Sequence, residues 1–187
     1  MNLRSIKKRL FATKILVKFI RANRILPWIV NNFEIRATYF LIRHPCATIA
    51  SQLETGIRGY FLPKSVPIPK EIVLKEAQQI PNIKDNEWLM EKLNTITTQE
   101  EILAAIWSMD NYVPLLYLNS HQNAWYTVVY EKLITDFDEE IKKVFGYINE
   151  AVPEEVYERF KKPSSTTHDK SHLGTQEQLS KWRGKTI

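Results

Sequence analysis

Tyr39–Leu53 reads Y-F-L-I-R-H-P-C-A-T-I-A-S-Q-L, and this stretch decides the fold. Ala37–Ile42 (A-T-Y-F-L-I) is a near-continuous apolar and β-branched run, the pattern of a strand buried on both faces. Pro45 suits the first turn of a helix, where its missing N–H costs nothing. Ala47, Ile49, Ala50 and Leu53 continue that helix, and Gly56 stands near its end. Strand then helix therefore meet at Arg43. Ligands of open α/β sheets bind outside the carboxyl ends of strands. A guanidinium there, with the Ser51 hydroxyl two turns into the helix, suits gripping one phosphate from two sides. The alternative is an arginine that pairs with a surface acid.

Outward from this unit the pattern alternates. Ile15–Lys18 is a short strand candidate and Ile25–Asn31 a short helix with Pro27 in its first turn. Trp125–Tyr130 (W-Y-T-V-V-Y) is the strand of highest β propensity. Thr98 followed by Glu101 has capping-box spacing and opens a helix through Tyr112, bent near Pro114. Asp136 and Asp138 precede another helix, Val152–Phe160 forms a further one, and helical character returns at Gln176–Trp182. Residues 57–100 carry Pro63, Pro67, Pro69 and Pro81 and read as a proline-rich surface excursion with one helix around Lys70–Gln79. The expected class is α/β, a parallel sheet flanked by helices, in one domain spanning residues 1–187. Residues 1–13 form a basic leader and 161–187 a polar tail.

Composition excludes several classes. The 187 residues hold only five glycines, against about 7% in an average chain. None is placed to form G-x-x-x-x-G-K or G-x-G-x-x-G, which disfavours a kinase-like nucleotide phosphotransferase. One cysteine, Cys46, rules out an internal disulfide framework and C-x-x-C metal knuckles. His168 and His172 are spaced i,i+4 but lack a nearby third ligand, so no metal is implied. No apolar run approaches the ~20 residues of a membrane span. The absence of a secretory signal and the lone cysteine suit a cytoplasmic setting, with a membrane-associated or luminal parent protein as the alternative. The net charge is +5, and no acid precedes Glu34. This basic start raises a second function class, a non-catalytic module binding nucleic acid or a membrane surface. With few interleaved aromatics, nucleic acid is disfavoured.

R-x-P at Arg43–Pro45, with a serine eight positions after the arginine, resembles the 3′-phosphate-binding element of sulfotransferases that use 3′-phosphoadenosine 5′-phosphosulfate (PAPS). Val17-Lys18 with Leu26-Pro27 resembles the strand and loop bearing that family's active-site lysine. V-V-Y-E-K-L at Val128–Leu133 resembles its v-x-Y-E-D-L strand end, and the helix with Ala104–Trp107 its central helix. The resemblance covers roughly residues 14–160. It implies a P-loop NTPase-like three-layer fold and transfer of a sulfuryl group from PAPS to a hydroxyl or amine on a small-molecule, lipid or carbohydrate acceptor. It implies Lys18 as the catalytic lysine, Arg43 and Ser51 as 3′-phosphate ligands, and Tyr130 near the adenine. Lys161 and Lys162 correspond to the late basic cluster, although the family's nearby tryptophan is here far downstream, at Trp182.

Two departures stand out. Ile20 occupies the place of the family's catalytic histidine, and isoleucine cannot act as a general base. His44 is reachable in principle, but a neighbour at a strand end points elsewhere. Nothing matches the P-K-x-G-T-T-like loop that holds the 5′-phosphosulfate, nor its strand. The expectation is therefore a partial sheet, from a truncated or split reading frame whose N-terminal part is missing, and a fragment of doubtful activity alone.

Overall fold

The computed structural model describes residues 14–55, 67–160 and 179–184. After an irregular segment and a 3₁₀ turn at Asn23–Ile25 come α1 (Leu26–Asn32), β1 (Tyr39–Ile42) and α2 (Pro45–Thr55). Residues 67–120 are helical in four steps: α3 (Lys70–Ala77), α4 (Pro81–Lys84), α5 (Glu87–Thr95) and α6 (Gln99–Ser120). Then follow β2 (Tyr126–Val129), α7 (Tyr130–Thr135), α8 (Phe137–Gly146) and α9 (Glu154–Phe160). A second 3₁₀ turn at Lys181–Gly184 packs on α2. No described helix is long and apolar enough to cross a membrane.

β1 and β2 pair in parallel, with Tyr39 opposite Tyr126 and Ile42 opposite Val129. This gives an α/β arrangement in which helix predominates. Both strands lie where β-branched and aromatic residues concentrate, as that chemistry favours. The sheet is smaller than expected, having two strands among the described residues. Among the described residues Ile15–Lys18 forms no strand: the segment is irregular and exposed. Its side chains favour extended backbone, but a strand also needs a neighbour for its backbone groups, and no described strand pairs with it. Nor is β1 buried on both faces. Phe40 is 3% exposed, whereas Leu41 is 56% exposed.

The core lies among the helices. Ile49 of α2 meets Val73 and Ala77 of α3, Ile83 of α4, and Ile102, Leu103 and Met109 of α6, with Ile68 and Ile80 between. The described part of 57–100 is thus a wall of the core and not a surface excursion. Pro69 and Pro81 start helices instead of breaking them. Pro69 is the N-cap of α3 and Pro81 lies in the first turn of α4, positions that need no proline N–H.

The capping box opening α6 is complete. Thr98 Oγ1 accepts from Glu101 N at 3.2 Å, and the Glu101 carboxylate accepts from Thr98 N at 2.9 Å and Thr97 N at 2.7 Å. These backbone donors hold its carboxyl below the usual carboxylate range. The helix runs on through a buried Pro114. With so few glycines, Asn123 and Asn149 take left-handed turns (φ 67° and 56°), which asparagine tolerates well. Arg21 does the same at φ 67°.

Two ionic ties hold the first described residues to the body. Arg24 Nε donates to Asp110 of α6 at 2.6 Å and its terminal nitrogen to Glu76 of α3 at 2.8 Å. Burial alone would lower the Arg24 pKa, but the two carboxylates outweigh it and the net direction is upward. Burial also pushes the Asp110 carboxyl up, against the pull of Arg24. At the second tie, Lys14 and Arg36 share one oxygen of Glu150. Led by the Lys14 hydrogen bond, these cations hold the Glu150 carboxyl below its ordinary range.

Candidate functional site at the strand ends

The register of the sheet builds the site. Ile42 faces Val129, so the next residues along the two parallel strands are Arg43 and Tyr130, and after them His44 and Glu131. Both pairs are in contact. The Arg43 guanidinium lies over the Tyr130 ring, 4.9 Å from its centroid, a cation–π arrangement. His44 N donates to Glu131 Oε1 at 3.0 Å. The chain then turns directly into two helices, α2 after β1 and α7 after β2.

Arg43 does not pair with a surface acid among the described residues. Its Nε is buried and has no hydrogen-bond partner. Such an orphan donor costs about 1–3 kcal/mol, more when charged, and an ordered water, an ion or a ligand is what satisfies such a group. The Tyr130 ring packs against the guanidinium and restricts where it can swing. A planar, delocalised cation held this way matches the two oxygens of a phosphate or carboxylate.

His44 turns to packing. Its ring stacks on Trp182, with centroids 5.0 Å apart and planes at 16°, and its carbonyl accepts from Thr48 N and Oγ1 at 3.0 and 3.1 Å. Trp182 thereby brings the 3₁₀ turn Lys181–Gly184 against the start of α2, and the Arg183 guanidinium lies 5.5 Å from the Trp182 ring centroid. The sequence offered no local sign of this meeting. Glu131 was within reach of inference, since parallel pairing carried one residue past Tyr130 sets it opposite His44.

The other expected residues lie on separate elements. Ser51 lies half-buried on α2, two turns from its start. Lys18 stands in the exposed segment before the first 3₁₀ turn, without a hydrogen bond or ion pair to a described residue, and Ile20 beside it is likewise exposed. The structure thus joins Arg43 to Tyr130, and shows no contact between Lys18 and either. Lys161, Lys162, His168 and His172 lie outside the described residues. Among the described residues no group of three or more His, Cys, Asp or Glu side chains is placed to hold a metal ion.

The opposite, amino end of the sheet is closed by aromatic packing. Tyr39, Tyr126 and Tyr147 meet with centroids 5.5 to 6.2 Å apart, and Tyr39 Oη donates to Val144 O at 2.7 Å. Burial raises the pKa of Tyr39 and Tyr126, leaving both neutral at physiological pH.

Compared with protein-family models, curated proteins and solved structures, the chain matches none.

Proposed function

We propose that the strand-end site is the 3′-phosphate half of a PAPS site and that the protein is a sulfotransferase-like chain. The observation that carries this reading is the buried, unpartnered Nε of Arg43, set across the parallel register from Tyr130. The resemblance of R-H-P with Ser51 and of V-V-Y-E-K-L to sulfotransferase motifs supports it. On this reading the fold is a reduced P-loop NTPase-like sheet.

Each residue then has a separable role. Arg43 binds the phosphate in a fork, and the Tyr130 ring packs against the guanidinium. The Ser51 hydroxyl donates from α2. The His44 N–H bond to Glu131 fixes the turn between β1 and α2, so that Arg43 leaves the strand in one direction. Lys18 neutralises charge that develops on the bridging oxygen as the sulfuryl group leaves, a role that positions a cation and needs no covalent step. Lys161 and Lys162 would add to the phosphate cluster. With Ile20 in place of a histidine, the acceptor hydroxyl or amine must lose its proton to another group.

Calorimetric titration with adenosine 3′,5′-bisphosphate tests the reading. The bisphosphate should bind at least tenfold more tightly than adenosine 5′-monophosphate, which lacks the 3′ group. Arg43→Ala should abolish that preference, and Arg43→Lys, which keeps charge without the fork, should recover only part of it. Equal affinity for both nucleotides, or unchanged binding by a folded Arg43→Ala chain, would refute the assignment.

A further inference from the structure

Of the fifteen large apolar side chains exposed among the described residues, nine lie between Ile15 and Ile35. Ile15, Leu16, Val17, Phe19 and Ile20 are 61–91% exposed in irregular chain. Further along, Trp28 and Phe33 are both more than half exposed, and their rings meet edge to face with centroids 5.6 Å apart. Ile25 precedes Trp28 by one helical step of three and is also exposed. Exposed apolar side chains at this density mark a docking surface, since singly scattered ones are what an ordinary surface shows.

The stretch is held as one excursion. Its ends meet at Glu150, because Lys14 and Arg36 bond the same carboxylate oxygen, Arg36 at 3.1 Å. Its middle is pinned through Arg24 to Glu76 and Asp110. Ile29 is buried against the body and Asn31 accepts a hydrogen bond from Tyr117 Oη of α6 at 2.8 Å, while the apolar side chains named above are exposed to water.

Charge selects the occupant. From Met1 to Phe33 the chain has eight lysines and arginines and no acid. Lys14 and Arg24 are taken up by carboxylates of the body and Arg21 has an interaction of its own, which leaves Arg4, Lys7, Lys8 and Arg9 ahead of the apolar run and Lys18 in its middle, between Val17 and Phe19. A second copy docked through this face would set the positive stretch against itself. A nucleic acid would satisfy the cations and leave the aliphatic side chains in water. A bilayer interface with anionic headgroups satisfies both, as acyl chains take the aliphatic and aromatic groups while headgroups take lysine and arginine. Tryptophan concentrates at that depth.

We propose that residues 14–35 dock the protein on an anionic membrane surface, with the Ile15–Ile20 run and the Trp28–Phe33 pair inserted at the headgroup boundary. The surface is distinct from the Arg43 site and does not depend on what that site binds.

Vesicle co-sedimentation of the full chain tests this. Vesicles of phosphatidylcholine with roughly a third phosphatidylserine should bind on the order of a hundredfold more tightly than phosphatidylcholine alone, as a few basic residues at such a surface require. Leu16→Asp, and separately Trp28→Ala with Phe33→Ala, should each weaken binding on the order of tenfold. All three positions are exposed, so circular dichroism and thermal melting should match the unsubstituted chain, confirming that the loss is one of docking. Three results would overturn the proposal: failure of the folded protein to bind anionic vesicles, variants that bind as well as the parent, or a dimer in sedimentation velocity that Leu16→Asp dissociates while vesicle binding persists. The second of these would leave a purely electrostatic surface of the kind nucleic acid prefers.

Discussion

Replacing Arg24 by methionine keeps much of the side chain's length and removes both of its ion pairs. The two bonds, 2.6 Å to Asp110 and 2.8 Å to Glu76, are charge-assisted, a class worth about 1.5–3 kcal/mol each when fully buried. The three side chains are between 26% and 34% exposed, so solvent screening reduces the expected loss to about 2 kcal/mol in total. For a chain of this size that corresponds to a melting shift of roughly 4–8 °C. The pH dependence carries the sharper test. Burial already pushes the Asp110 carboxyl up, with Arg24 pulling against it, so losing Arg24 raises it further. A carboxyl whose folded pKa exceeds its unfolded value binds more protons when folded, and stability then falls as pH rises between the two values. The Arg24→Met penalty should therefore be larger near pH 8 than near pH 4.5. Urea unfolding followed by tryptophan fluorescence at both pH values measures it. Adding Asp110→Asn should restore part of the stability and flatten the dependence, because no unpaired carboxylate remains there. Equal penalties at the two pH values, or a double variant no more stable than Arg24→Met, would refute this account of the junction.

Three further outcomes follow from the packing and the site. Leu103→Ala, at 1% exposure within the helical core, should lower unfolding free energy by about 3–5 kcal/mol in the same urea assay. Thr98→Ala should cost about 1 kcal/mol; the Glu101 carboxyl is held below its ordinary range chiefly by the backbone N–H groups of Thr97 and Thr98, which alanine keeps, so both chains should lose that contribution alike as pH falls through the folded value and the difference between them should persist in acid. Tyr130→Phe should keep affinity for adenosine 3′,5′-bisphosphate within about twofold, whereas Tyr130→Leu should lose on the order of 0.5–2 kcal/mol with the cation–π face.

Elements built from local chemistry were legible in the chain. Both strands lie inside the β-branched and aromatic runs that announced them, α2 begins at the proline that marks it, and Thr98 with Glu101 opens α6 as their spacing requires. What failed was whatever depends on partners distant in sequence. Ile15–Lys18 has strand propensity, but propensity does not supply a neighbouring strand. The prolines at 69 and 81 looked like breakers, although a proline ends one helix and begins another with the same ring. Their true role emerged only because Val73, Ala77 and Ile83 sit beside Leu103. At the site, Arg43 and Tyr130 could be placed opposite each other once β1 and β2 were taken as parallel neighbours. The stack of Trp182 on His44 could not, because nothing near either residue announces the other.

The β1–β2 ladder has a temporal consequence. His44 finds Glu131 across a separation of 87 positions, and every rung of the two-stranded sheet spans a similar interval. The helical core gathers shorter intervals, Ile49 to Leu103 being 54 positions apart, while the ladder must wait for a longer loop to be closed. During synthesis, β1 emerges and remains without its partner until the ribosome has passed Val129. The helical core is therefore free to condense first, and the strand-end site is among the last features of the molecule to come into being.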